Sequence, residues 1–82
     1  MDGADVRGQA RRVEDCAVEV REQARVLIAV GTVRWRSVAA DQFRGELEDR
    51  RRELCRVAQE LDEAAVALRR HAGALDRAGS LP

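Results

Sequence analysis

Six residues, Ala40, Leu47, Leu54, Leu61, Leu68 and Leu75, recur at strict seven-residue intervals through a stretch that contains no proline. A strand turns successive side chains to opposite faces, so an odd interval would scatter this row across both sides of a sheet. An α-helix returns every seventh residue to one face. A sustained heptad row is the signature of helices that pack at a shallow angle, as in coiled coils and bundles. Phe43, Val57 and Ala64 widen the row on one side, interrupted by Arg50 and His71, and Ala58, Ala65 and Ala72 thicken it further. The pattern predicts one helix over about 37–77, roughly 60 Å long at 1.5 Å per residue.

A shorter helix precedes it, over about 4–30. Val6, Val13, Val20 and Leu27 stand seven apart, and Ala10, Ala17, Ala24 and Gly31 follow them by four. The small residues of the second row permit close approach of a neighbouring helix, while Arg11, Arg12, Glu14, Asp15, Glu19, Arg21, Glu22 and Arg25 fill the other faces. The period breaks between Gly31 and Ser37. Gly31 is expected to close the first helix in a left-handed C-cap, and Thr32 or Ser37 to cap the second. The turn is assigned to about 31–36, and 78–82 reads as a frayed tail. The sequence therefore predicts an all-α fold: a two-helix antiparallel hairpin, one domain over 1–82, whose longer second helix overhangs at its far end.

A chain of 82 residues built this way buries one stripe per helix. Small scaffolds of this kind need a staple, a metal or a partner. Helical association of the apolar stripe with another subunit is the expected answer, and the resemblance described below implies a four-helix bundle dimer. The stripe expected to carry it comprises Val13, Val20, Leu27, Leu47, Leu54, Val57, Leu61, Leu68 and Leu75.

Several functions are disfavoured. Fifteen basic residues against fifteen acidic ones give no net charge, whereas nucleic-acid binding draws on a positive surplus. The run Arg50-Arg51-Arg52 is flanked by Glu46, Glu48, Asp49 and Glu53, which suits local ion pairs on a solvated face. Cys16 and Cys55 lack CxxC spacing. In a hairpin they fall at different levels, too far apart for a disulfide, and read as small buried or half-buried apolar residues. The single His71 has no second histidine with which to share a metal, and reads as a partly buried structural residue or a charge near a helix C-terminus. No catalytic, cofactor-binding or metal site is expected, and the chain reads as no enzyme. No segment is apolar enough to span a membrane. The N-terminus has no basic-then-apolar leader, so the chain is expected to be made in the cytoplasm. Every basic residue is arginine, which fits a GC-rich, actinobacterial type of genome.

The only tryptophan and the only phenylalanine lie together in Trp35-Arg36-Ser37-Val38-Ala39-Ala40-Asp41-Gln42-Phe43. Their simplest use is to plug the end of the hairpin. The stretch also resembles the WXG superfamily, the small ESAT-six-like (Esx-like) proteins of type VII secretion. In that family a helix–turn–helix hairpin carries Trp-x-Gly at the turn, followed by an Ala-Ala pair and an aromatic residue. Trp35, Ala39, Ala40 and Phe43 match this layout, and Ser37 stands where the family has glycine. The resemblance implies a secretion substrate or escort subunit, paired as a homodimer or heterodimer with a related hairpin. It further implies export through the type VII system, with the secretion ATPase or a larger secreted protein such as a toxin as further partners. Trp35, Arg36, Ser37, Ala39, Ala40 and Phe43 would form the contact surface. The family's Tyr-x-x-x-Asp/Glu export signal has no counterpart in a sequence without tyrosine, so a partner would have to supply it. The alternative is a cytoplasmic coiled-coil adaptor or oligomerisation module with no link to secretion.

Overall fold

The computed structural model describes residues 2–31 and 38–79. They form two helices and no strand: α1, Gly3–Gly31, and α2, Val38–Gly79. The helices run antiparallel in a rod with Cα extents of 70 × 13 × 13 Å. Trp35, Arg36 and Ser37, and the turn in which they were placed, lie outside the described residues.

Local chemistry sets the described ends. Asp2 caps α1: its Oδ1 accepts the Asp5 amide at 2.9 Å and its carbonyl accepts the Val6 amide at 3.2 Å. This satisfies donors that the first turn leaves open. In α2, Asp41 in the first turn and Arg77 in the last complement the helix dipole. Gly31 does not adopt the left-handed C-cap expected of it. It is the last residue of α1, and no described glycine has a positive φ.

The two helices meet along a seam of the smallest side chains. Among the described residues the buried apolar ones are Val6, Ala10, Ala17, Ala24, Ala40, Ala58, Ala65 and Ala72, and of these only Val6 is larger than alanine. Gly3 fixes the register. A Cβ built there would lie 2.9 Å from the Ala72 carbonyl oxygen and 2.8 Å from Asp76 Cγ. Stepping by heptads from this contact brings Ala10 level with the stretch between Ala65 and Arg69, and Ala17 with that between Ala58 and Asp62. The same steps bring Ala24 level with the stretch between Arg51 and Cys55, and Gly31 with that between Arg44 and Glu48. Small residues at every seventh position let the backbones approach closely, which is why alanine and not leucine lies between the helices.

This register corrects the expected overhang. Gly3 sits against Ala72 and Asp76, so α2 extends only a few residues past the start of α1. The excess length lies at the other end, where 38–43 run beyond the level of Gly31.

The two ends of the seam respond oppositely to a methyl group. Gly3→Ala must push against backbone and is expected to destabilise by about 1–3 kcal/mol, the usual cost of overpacking. At Gly31 a Cβ meets nothing within 4 Å, so Gly31→Ala should stabilise by about 0.4–1 kcal/mol through chain entropy. Thermal melts of the two variants provide the comparison.

Candidate partner-binding face

The alanine seam divides the hairpin into two unlike flanks. On one flank lie Arg7, Glu14 and Arg21 of α1 and Asp76, Arg69 and Asp62 of α2. Arg7 pairs with Asp76, and Arg21 with Asp62. Between them, Arg69 Nε and an Arg69 guanidinium nitrogen donate to Glu14 Oε1 at 2.9 and 2.6 Å. The three pairs form a ladder at heptad spacing. The hydrogen bond from Arg21 to Asp62, with their mutual attraction, raises the Arg21 pKa above its ordinary value against a smaller opposing effect of burial. Exposed ion pairs add little net stability. The alternation Arg-Glu-Arg against Asp-Arg-Asp instead selects one antiparallel register, because a slip of one heptad would oppose like charges.

On the other flank the seam is bordered by Val13, Val20 and Leu27 of α1 and by Leu47, Leu54, Leu61, Leu68 and Leu75 of α2. All eight are half-buried. Beyond them lies a further row on each helix. On α1 this is Gln9, Cys16, Gln23 and Val30. On α2 it is Phe43, Arg50, Val57, Ala64 and His71, with Val57 half-buried and the rest exposed. Together the two rows of each helix give the alternating three- and four-residue spacing of a coiled-coil seam. They face away from the opposing helix of the same chain. All the leucines of the described helices and three of the valines thus border a flank that no described part of the chain covers, while Val18, Val26, Ile28, Val38 and Val66 are exposed on other faces.

The turn-proximal end of the hairpin is constructed differently. Arg44 and Arg51 occupy the seam row that alanine fills elsewhere. A cleft of about 280 Å³ opens there, lined by these two arginines with Leu27, Ile28, Gly31, Leu47 and Glu48. Arg51 Nε donates to Glu48 Oε2 at 2.9 Å, and Arg44 pairs with Asp41. The bonds from Arg51, reinforced by the charges of Arg51 and Arg52, hold the Glu48 carboxyl below its usual pKa, and the same partnership raises Arg51. The cleft therefore carries its own counter-charges. Arg50, Arg51 and Arg52 each pair with a nearby glutamate.

Of the residues placed at the turn, Ala39 is exposed, Ala40 is buried with 8% exposure, and Phe43 is 39% exposed. Both cysteines are free and exposed, not buried as expected. They lie on different flanks, Cys16 in the outer row of the apolar flank and Cys55 on the ladder side, where Arg51 approaches its Sγ at 3.8 Å. The register separates them by about six residues along the axis, roughly 9 Å. His71 is exposed, which removes the partly buried reading and not the one near a helix C-terminus, because the outer row faces away from α1. Among the described residues no group of three His, Cys, Asp or Glu side chains is placed to hold a metal ion, and no helix is long and apolar enough to cross a membrane.

The inter-helix ladder was missed in the sequence. Its signal was present in charges at 7, 14 and 21 whose signs are opposite, in reversed order, to those at 76, 69 and 62. In the sequence, Glu14 and Arg21 read only as residues of the polar faces of the first helix, and the other four carry no assigned role.

These features define a helical hairpin sealed on one flank by charge and open on the other along an apolar heptad seam. The chain matches no family model, no curated protein and no solved structure.

Proposed function

We propose that this chain is a non-enzymatic interaction subunit. It completes its core by packing the open flank against another helical hairpin in a four-helix bundle, and acts as a WXG-like substrate or escort in type VII secretion. The observation that supports association is the flank itself. Five leucines at heptad spacing on α2 and Val13, Val20 and Leu27 on α1 are left half-buried, while buried positions are filled almost entirely by alanine. The secretion part of the reading rests on the resemblance of Trp35, Ala39, Ala40 and Phe43 to the family motif. The further partners it implies are the secretion ATPase or a larger secreted protein.

The second reading is a coiled-coil adaptor. It is favoured by the alternating spacing on both helices, which needs no tryptophan motif. Trp35→Phe separates the two. An aromatic still fills the space, so the purified variant should melt and associate nearly as the parent does. In the secretion reading Trp35 also anchors a contact, so secretion from the native host, or capture of the escorted protein in a pull-down, should fail. Normal export of the stable variant would leave the adaptor.

A further inference from the structure

We propose that the cleft at the turn-proximal end is a docking site for an acidic peptide segment of a partner protein. An aliphatic side chain of that segment sits between the helices, and a neighbouring carboxylate bonds to Arg44 and Arg51. The site does not depend on what covers the apolar flank, because Ile28 and Glu48 lie in the rows of the ladder side.

Two observations support it. The first is a gap in the packing. Elsewhere along the seam small residues close the space between the helices. Here a cleft of about 280 Å³ remains between Leu27, Ile28 and Leu47, with Gly31 at its edge. Cofactor and drug-sized sites span about 300–1,000 Å³, so this one suits one or two side chains. Gly31 keeps it clear. Its φ is not positive, and a Cβ built on it meets nothing within 4 Å. Neither backbone conformation nor close packing calls for glycine at this position, although glycine weakens a helix relative to alanine. The missing side chain leaves room for one from outside.

The second observation is the charge around that gap. The cross-helix ladder ends at Arg21 and Asp62. The next positions of its two rows are Ile28 and Cys55, which form no ion pair. From 23 to 31 α1 has no acidic residue, so Arg44 and Arg51 turn to Asp41 and Glu48 on their own helix. Glu48 also serves Arg52. Three guanidinium groups thus share two carboxylates beside the cleft. Arg51 Nη1 approaches the Cys55 Sγ at 3.8 Å, a weak acceptor. A further carboxylate supplies the charge that α1 lacks, through the short charge-assisted bonds that arginine gives to carboxylates. An aliphatic side chain beside that carboxylate meets Leu27, Ile28 and Leu47. The complement is therefore acidic and aliphatic together.

The test uses three fluorescently labelled peptides of equal length, built from glutamate–leucine, glutamate–serine and lysine–leucine repeats. Binding to the full chain is read by anisotropy. Gly31→Leu fills the cleft, and Ile28→Glu sets a negative charge at its edge. Val18→Glu is the control on another face. Ile28 and Val18 are exposed and a side chain at 31 has space, so all three variants should keep the fold, which circular dichroism checks. The parent should bind the glutamate–leucine peptide at least about tenfold more tightly than the other two, with affinity falling as salt is added. Gly31→Leu and Ile28→Glu should each lose at least about tenfold, and Val18→Glu should bind as the parent does.

Equal binding of the glutamate–leucine and lysine–leucine peptides would overturn the proposal. So would full affinity in Gly31→Leu, or a parent that binds none of the three at millimolar concentration. Two other occupants have their own signatures. If the linker of the same chain fills the cleft, Gly31→Leu shifts the emission of Trp35, the sole tryptophan, while the parent binds no peptide. If a second copy fills it, Gly31→Leu lowers the sedimenting mass. Either result would overturn the partner peptide.

Discussion

Ala17→Leu is expected to force the two helices apart. Ala17 has no exposed surface and lies level with the stretch between Ala58 and Asp62 across the seam, so three extra carbons have no space to enter. Overpacking of this kind costs about 1–3 kcal/mol in a well-packed core. Here the upper end is expected, since Ala17 lies in the middle of the alanine seam that joins α1 to α2. The helices cannot separate locally at Ala17 without loosening Ala10 against Ala65 as well. Ala67→Leu is the control, because Ala67 is exposed and such surface changes usually stay within about 0.5 kcal/mol. Circular dichroism melts should show a large drop in stability for Ala17→Leu and almost none for Ala67→Leu. Equal melting of both variants would mean that the seam does not hold the hairpin together.

The second large effect concerns Leu54 and Leu61. Truncating a fully buried leucine to alanine costs about 2–5 kcal/mol, while the cost falls with the fraction of side chain left in water. In the single hairpin both residues are half-buried. The full cost therefore appears only if a partner covers them, and much of it should appear as weakened association. Melting and sedimentation of Leu54→Ala and Leu61→Ala measure both parts. Wild-type melting and assembly in both variants would remove the flank from any interface.

The helices and their faces were readable from the heptad rows, since a period of seven without proline admits little besides helix. The division of labour among the rows was less readable. Leu61 and Ala58 both appear in one apolar stripe, and periodicity alone does not reveal which of them faces the other helix. Side-chain size decides it: two antiparallel helices pull together where alanine opposes alanine, and this displaces the leucines to the edge. The cysteines are exposed for the same reason, because a residue near an apolar stripe is buried only if its own row faces a neighbour. The level of the helices was set by Gly3 against Ala72 and by the charge ladder. Turn length does not determine that level, and so the overhang was assigned to the wrong end. The partner-binding role proposed for Trp35, Arg36 and Ser37 is carried by residue identity and not by helical period.

The proposed completion of the hairpin's core by association is tested most directly by sedimentation velocity across the micromolar range, read with melting at each concentration. The expected result is a species of twice the chain mass whose melting temperature rises with concentration, as mass action requires when association stabilises the fold. A folded monomer that melts cooperatively at one temperature over the whole range would contradict it.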